Sequence, residues 1–428
     1  MSAVSVDGTI EVEHGAPAPN NVTVSKRINI SAKTDGTHIP VIDADGSAST
    51  GLRFAAGSEA SSINGVVFTG YTGYALDDGS GFAGIINISD CVFHQNKYAL
   101  GLPSSSENCE FSNGECASYL AGNLSFTDCE FSDLKVGIKN STSAASIFDG
   151  CTTNNVSTVI EGGATVGLTD SIFENTKSVT TGGSALTLNN VSVKNCSYIA
   201  FSAPASISGN GLSFENVKYG VYSCHSASLS DVSVDGFGDY LVGYCDNTVI
   251  DGLTVNGYYS SIIGSSDGAI VRNAVVNSVK SSFASGANNL TIENSVITGG
   301  PTAYLLLSVC SNITARRVVF AETPGDNGIC LFYSVSGLFE NCTIYGLNRM
   351  QPSVPTGKTL TFDSTIVWDN AQVETSNASQ LTCRYCLLQV DPLTQTLPSY
   401  TLVNDGSGNP TNIIGSETLF VDPTNPAG

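Results

Sequence analysis

Apolar residues recur along this chain in short runs, and the polar punctuation between the runs is periodic. "ISDCVFHQN" (88–96), "LTDSIFENT" (168–176) and "FENCTIYGL" (339–347) share one phrase: an apolar residue, a spacer, an Asn or Asp, then a second apolar group. Aligning such phrases on the central residue gives a column of Gly65, Asp90, Asn108, Asp128, Gly150, Asp170, Asn190, Gly211, Asp231, Gly252, Asn273, Asn294, Arg317, Asn341, Ser364 and Tyr385, spaced 18 to 25 residues apart. Two residues before this anchor the chain is mostly apolar (Ile88, Phe126, Leu168, Ile250, Phe339), and three after it stand Phe93, Phe111, Phe131, Phe173, Val255, Ile297 and Ile344. Apolar positions at −2, +1 and +3 are too closely spaced for a helical stripe, and Val, Ile, Phe and Thr fill them, so the segments are predicted to be short strands. A repeat near twenty residues with its own internal grammar predicts a solenoid.

The step from −2 to +1 breaks strict alternation by one residue, so two strands meet at a bend. Gly reaches the left-handed backbone region freely, and Asn or Asp tolerate it best, which explains the anchor column. A second bend is predicted at anchor +5, where Gly70, Asn113, Asp133, Asn155, Asn175, Asn195, Asn216, Gly236, Gly257, Gly299, Gly346 and Asp369 stand. Each repeat is then one coil of roughly three short strands, and stacking about 16–18 coils at about 4.8 Å gives a rod of roughly 75 Å or more. With these ladders the chain resembles the right-handed parallel β-helix, or pectate-lyase-like, superfamily over about residues 55–391. The resemblance implies an all-β fold and leaves function open, because that scaffold hosts lyases, hydrolases, adhesins and surface-layer proteins. Residues 1–54, with "TIEVEHG" and "VTVSKRINIS", read as a cap or irregular first coils that cover strand edges. Residues 392–428, ending in "ETLFVDPTNPAG", read as a closing segment, and insertions at 321–328 and 347–358 are natural places for contacts.

Composition narrows the function. Only 13% of residues are charged, with 38 acidic against 17 basic and a net charge of −21, so no nucleic-acid partner is expected. An acidic polysaccharide is disfavoured unless a local basic groove receives it. The start "MSAVSVDGTI" has neither a basic n-region nor an apolar run, and no stretch is long and apolar enough to span a bilayer. An extracellular or cell-surface location is nevertheless expected, with any leader removed, and the chain carries twelve Asn-X-Ser/Thr sequons. Of thirteen cysteines, Cys91, Cys109, Cys129 and Cys151 share the anchor +1 position in consecutive coils, and Cys342 and Cys386 share it later. There a thiol acts as a small apolar group in a tight stack. Cys116, Cys196, Cys330 and Cys383 are the expected candidates for outward thiols or intermolecular pairing.

Candidate chemistry is sparse. "LDDG" offers Asp77 and Asp78, but the Gly-His-Gly that accompanies paired aspartates in polygalacturonase-like hydrolases is missing, and a polar turn is the simpler expectation. Arg272, Arg316 and Arg384 occupy anchor −1 beside Asp251, Glu293, Glu340 and Asp363. A lyase needs such a base near acidic groups, whereas rows of ion pairs between coils explain the same pattern without catalysis. Cys224 and His225 are adjacent and so point to opposite faces, which excludes a dyad. "CRYC" (383–386) stands alone without a second ligand pair, so no zinc site is expected. No catalytic, cofactor-binding or metal-binding residue is therefore assigned. The expected function is an extracellular structural or adhesive cell-surface protein, similar to low-charge β-helix adhesin-like and sheath proteins of archaeal and bacterial envelopes. It would self-associate into a layer, sheath or fibre, with glycans as a further class of partner. The alternative is a polysaccharide lyase or glycoside hydrolase working along a sheet groove.

Overall fold

The computed structural model describes residues 6–33, 39–119, 122–140, 144–183, 185–202, 204–299, 305–322, 330–347, 353–368, 381–389, 401–402, 411 and 413–415. Residues 323–328 and 348–352 of the two insertions and the closing "LFVDP" phrase fall outside these residues. Every regular element among them is a β-strand, and all of their pairings are parallel. The chain forms a parallel β-solenoid of about 16 turns and divides into two compact units, Met1–Val217 and Lys218–Gly428.

A representative coil of the first unit contains strands Ser104–Glu107, Glu110–Ser112 and Cys116–Tyr119, the three per turn that the spacing predicts. Each pairs with its counterpart one turn on: Leu124–Thr127, Glu130–Ser132 and Val136–Lys139. Because the register is direct, equivalent residues stand over one another. Phe68, Phe93, Phe111 and Phe131 follow in line, with ring centroids 5.3, 5.1 and 5.1 Å apart and nearly parallel planes. All four rings are essentially inaccessible to solvent, and each is worth about 1.5–3 kcal/mol of burial. Strands reach into both terminal regions. Gly8–Val12 pairs with Ile28–Ala32, and Thr401–Leu402 and Ile413–Gly415 pair with Leu381–Arg384 and Leu387–Gln389.

The corners answer to the sequence column in detail. All sixteen anchor residues, including Arg317, Ser364 and Tyr385, have positive φ, between 47° and 76°. Gly70, Asn113, Asp133, Asn155, Asn175, Asn195, Asn216, Gly236 and Gly346 form the second left-handed corner as expected, whereas Gly257 and Gly299 do not take positive φ; Asp369 lies outside the described residues. A third left-handed corner at Ser223, Tyr244, Ser265, Gly286, Val309 and Ser334 has no Asn or Asp signature.

The anchor +1 thiols have a role beyond filling space. Cys109 Sγ donates to the carbonyls of Glu107 (3.2 Å) and Ile88 (3.8 Å), and Cys129 Sγ donates to those of Thr127 (3.3 Å) and Ser106 (3.5 Å). Ser171 Oγ makes the same bond to Thr169 (2.7 Å) in its own coil. The carbonyls of Glu107, Thr127 and Thr169 already accept backbone N–H groups of the preceding coil, so the thiol or hydroxyl adds a second bond where the column has Cys or Ser, while Val66, Val191 and Leu253 fill the same position as apolar side chains. Burial raises the thiols of Cys196 and Cys342 above their ordinary range and pushes that of Cys116 up to about 12. The expected outward thiols are not outward: Cys116, Cys196 and Cys383 are all buried, because each takes an inward position of its coil. The side chain of Cys330 lies outside the described residues.

Candidate functional site

Outside the core, the polar surface is organised by coil-to-coil ladders. In the first unit Asn155 Nδ2 donates to Asp133 Oδ1 (2.6 Å), Asn195 Nδ2 to Asn175 Oδ1 (3.2 Å) and Asn216 Nδ2 to Asn195 Oδ1 (3.3 Å). In the second, Asn273 Nδ2 donates to Asp251 Oδ1 (2.6 Å) and Asn289 Nδ2 to Asp267 Oδ1 (2.7 Å).

The arginines singled out at anchor −1 behave likewise. Arg272 Nε lies 2.9 Å from Asp251, Arg316 Nε 2.9 Å from Glu340 and Arg384 Nη2 2.5 Å from Asp363. Arg316 also reaches Glu293 at 3.7 Å. The hydrogen bond from Asn273, followed by Arg272, holds the Asp251 carboxyl below its ordinary value of 3.8. These arginines are bound to carboxylates one coil away, so they stabilise stacking and are poorly placed as free bases. Exposed pairs of this kind contribute little individually, because solvent screens them.

Asp77 is the exception among the candidates. The strand Tyr74–Asp78 aligns it with Arg53 of the preceding coil, whose Nη2 lies 3.1 Å from Asp77 Oδ2. Burial nevertheless raises its carboxyl above 3.8, against the lowering effect of that hydrogen bond. The Tyr74 ring lies beside it, over Gly101, where an added Cβ would meet the ring at 2.6 Å and Asp77 Oδ1 at 2.7 Å. Burial, then the neighbouring Asp77 charge, pushes the Tyr74 phenol up to about 12. Tyr98 and Tyr119 continue the row at centroid separations of 5.0 and 4.8 Å, with Lys139 over Tyr119 and bonded to Glu161 at 2.9 Å. Adjacent Asp78 is exposed, so the two aspartates do not form a convergent acid pair. Cys224 is buried and His225 exposed, as strand alternation requires. Among the described residues, no group of three or more His, Cys, Asp or Glu side chains could hold a metal ion.

Two open grooves lie along the ladders. In the first unit a groove of about 660 Å³ runs over Asp133, Asn155, Asn175 and Asn195, edged by Lys135 and Lys177. It is the local basic edge that the overall charge made doubtful. Lys135 Nζ is 3.9 Å from Glu115, and Lys177 Nζ sits 5.8 Å from the Tyr198 ring centroid. In the second unit a groove of about 690 Å³ is lined by Asn312, Thr314, Lys358, Thr361, Thr382 and Arg384. Neither was legible in the sequence, because each arises from side chains about twenty residues apart.

Residues 283–390 match the family model described as "Right handed beta helix region". None of the curated proteins matches the sequence. Among solved structures, the chain is similar to a PL6 alginate lyase in complex with a trisaccharide, at 9% identity and a TM-score of 0.31 over 97% of this chain and 91% of the other. It is also similar to the catalytic domain of a GH87 α-1,3-glucanase in complex with tetrasaccharides, at 10% identity and a TM-score of 0.23 over 90% and 67% of the two chains. A third is the A-module of a mannuronan C-5 epimerase from Azotobacter vinelandii, at 10% identity and a TM-score of 0.18 over 96% and 90%. These likenesses are of fold alone.

Proposed function

We propose that this right-handed parallel β-helix is an extracellular structural or adhesive protein, a β-helical building block that associates with further copies. One observation carries the reading: the conspicuous polar side chains of the outer surface bond to the neighbouring coil. The Asn ladders, the Arg–carboxylate rows and Lys139–Glu161 all spend their hydrogen-bonding capacity on stacking. A catalytic surface of the lyase type needs a base and acids left available to substrate, and here Arg272, Arg316 and Arg384 are engaged. The low charged fraction and the sequons suit a surface that meets the outside of a cell.

The test is negative-stain microscopy of concentrated protein, in which ordered filaments or sheets are expected and dispersed monomers at every concentration would refute assembly. Because Cys116, Cys196 and Cys383 are buried, none of these three should link neighbouring copies. A second reading, a polysaccharide lyase or hydrolase, draws on one observation: burial raises the Asp77 carboxyl above its ordinary value beside Tyr74, the direction of shift that an acid–base carboxyl needs. Release of unsaturated or reducing-end products from alginate, pectin or β-glucan, abolished by Asp77→Asn, would favour that reading over the structural one.

A further inference from the structure

The second unit carries a cluster of tyrosines that the coil-to-coil ladders do not explain. Tyr219, Tyr222, Tyr240 and Tyr244 stand on consecutive turns of one sheet, with ring centroids of neighbours 5.1 to 6.0 Å apart. Tyr219 and Tyr240, in direct register, stack at 24°, but the other pairs do not continue a column like the buried phenylalanines: Tyr219 and Tyr222 cross at 63°, and Tyr222 and Tyr244 at 57°. Two glycines account for the difference. Tyr222 pairs with Gly243, and its ring occupies the space above that glycine, where an added Cβ would come within 3.2 Å of it. The Tyr240 ring reaches across to Gly264 of the next coil, and a Cβ there would meet the ring at 2.5 Å. A ring laid over a glycine covers bare backbone with one side and turns the other toward solvent. Tyr244 is 52% exposed, and Tyr222 and Tyr240 are partly exposed. At the edge stand Lys218 and Asp239, 3.8 Å apart, with the ammonium 5.2 Å from the Tyr219 centroid. They are a donor and an acceptor of cancelling charge.

We propose that this tyrosine patch is a binding site for a neutral pyranose chain. The flat C–H face of a pyranose complements an aromatic face, and the rim of hydroxyls around it calls for both donors and acceptors. Phenol hydroxyls, which both donate and accept, stand at this rim beside the Tyr219–Asp239 hydrogen bond and the coil-to-coil Lys218–Asp239 pair. Coils follow one another at about 4.8 Å, close to the length of one sugar in an extended glycan, so the two turns that carry these rings present them about one sugar apart. The charge balance selects a neutral chain: the patch has no uncompensated cation, and the protein's net charge of −21 repels polyanions. This site rests on the adhesive side of the proposed function and names the ligand class there.

The experiment is calorimetric titration of the full chain with cellohexaose, mannohexaose, laminarihexaose and chitohexaose, alongside hexamannuronate as the charged control. At least one neutral hexamer should bind, and hexamannuronate should not. The paired substitution Tyr222→Ala/Tyr240→Ala should weaken that binding by about tenfold or more, whereas Tyr222→Phe/Tyr240→Phe should retain most of it. Gly264→Ala keeps every tyrosine but pushes the Tyr240 ring off its seat, so it should weaken binding while the melting curve shows the coil intact. No binding of any neutral hexamer overturns the proposal, as does binding that survives the paired alanine change. Loss of self-association in the tyrosine variants without glycan binding would assign the patch to a second copy of this chain and also overturn it. Microscopy of the same variants separates the two claims: assembly that persists without glycan binding sinks this site alone.

Discussion

Val309 offers the sharpest test of how the corners are built. It sits at φ +52°, in the third left-handed corner, where the neighbouring coil uses Gly286. For an L-residue this region costs about 1–2 kcal/mol, and branching at Cβ makes it worse. The Val309 side chain is 53% exposed, so little packing offsets that cost. Val309→Asn should therefore stabilise its coil by about 1 kcal/mol, since Asn accepts the left-handed region without glycine's entropic penalty in the unfolded chain. The reverse change, Asn195→Val at φ +51°, should lose that amount. It also removes the two ladder bonds to Asn175 and Asn216, for about 2 kcal/mol in all. A solenoid opens locally, so the appropriate assay is native-state hydrogen exchange read by mass spectrometry. The Val309 amide, which donates to the Tyr333 carbonyl at 2.7 Å, should gain about fivefold protection in Val309→Asn. Amides around Asn195, whose own N–H donates to Glu215 at 2.8 Å, should lose about thirtyfold in Asn195→Val. Faster exchange in Val309→Asn, or none of the loss in Asn195→Val, would refute the claim that corner residues are chosen for backbone conformation.

Three further outcomes are expected. Phe131→Ala opens a hole between Phe111, Phe126 and Phe148 and should cost about 3–5 kcal/mol, read as a lowered melting temperature. Cys91, Cys109, Cys129 and Cys151 should resist a water-soluble thiol reagent in the native protein and react once it is unfolded; fast native labelling would show that the column opens to solvent. By carboxyl NMR, Asp251 should titrate below 3.8 and Asp77 above it. Asp251 is depressed in the folded chain, so its contribution is present above its unfolded value and fades as pH falls through the folded one. Asp77 is raised, so it weakens the folded state at neutral pH and ceases to do so as acid protonates it. Asn273→Ala should move Asp251 back toward 3.8.

The corners at the anchor column were readable because one backbone conformation admits few residue types, and Asp90, Asn108 and Gly150 report it directly. The corner through Ser223, Tyr244, Ser265 and Val309 was not, because those residues bear the strain or fit it without an Asn signature. Arg272 and Asp251 were legible as an ion pair since both lie at anchor −1, one coil apart. The burial of Cys116 and Cys196 was missed because inward and outward positions lie one residue apart, and the coil between anchors varies in length. The tyrosine patch was also missed. It depends on Tyr240 slanting across to Gly264, a relation between unequal positions of successive coils that no single column records.

Five of the Asn–Asp rungs share a direction, whereas Asn64 Nδ2 donates forward to Asp90 of the next coil. In Asn108–Asp90, Asn155–Asp133, Asn190–Asp170, Asn273–Asp251 and Asn289–Asp267 the donor belongs to the later coil and the carboxylate to the earlier one. An ionised carboxylate has no proton to give, so these rungs cannot be reversed. At those five rungs the earlier turn leaves lone pairs ready for the turn that follows it in the chain, as a ribosome would deliver it. There the stack has a grain, like wood.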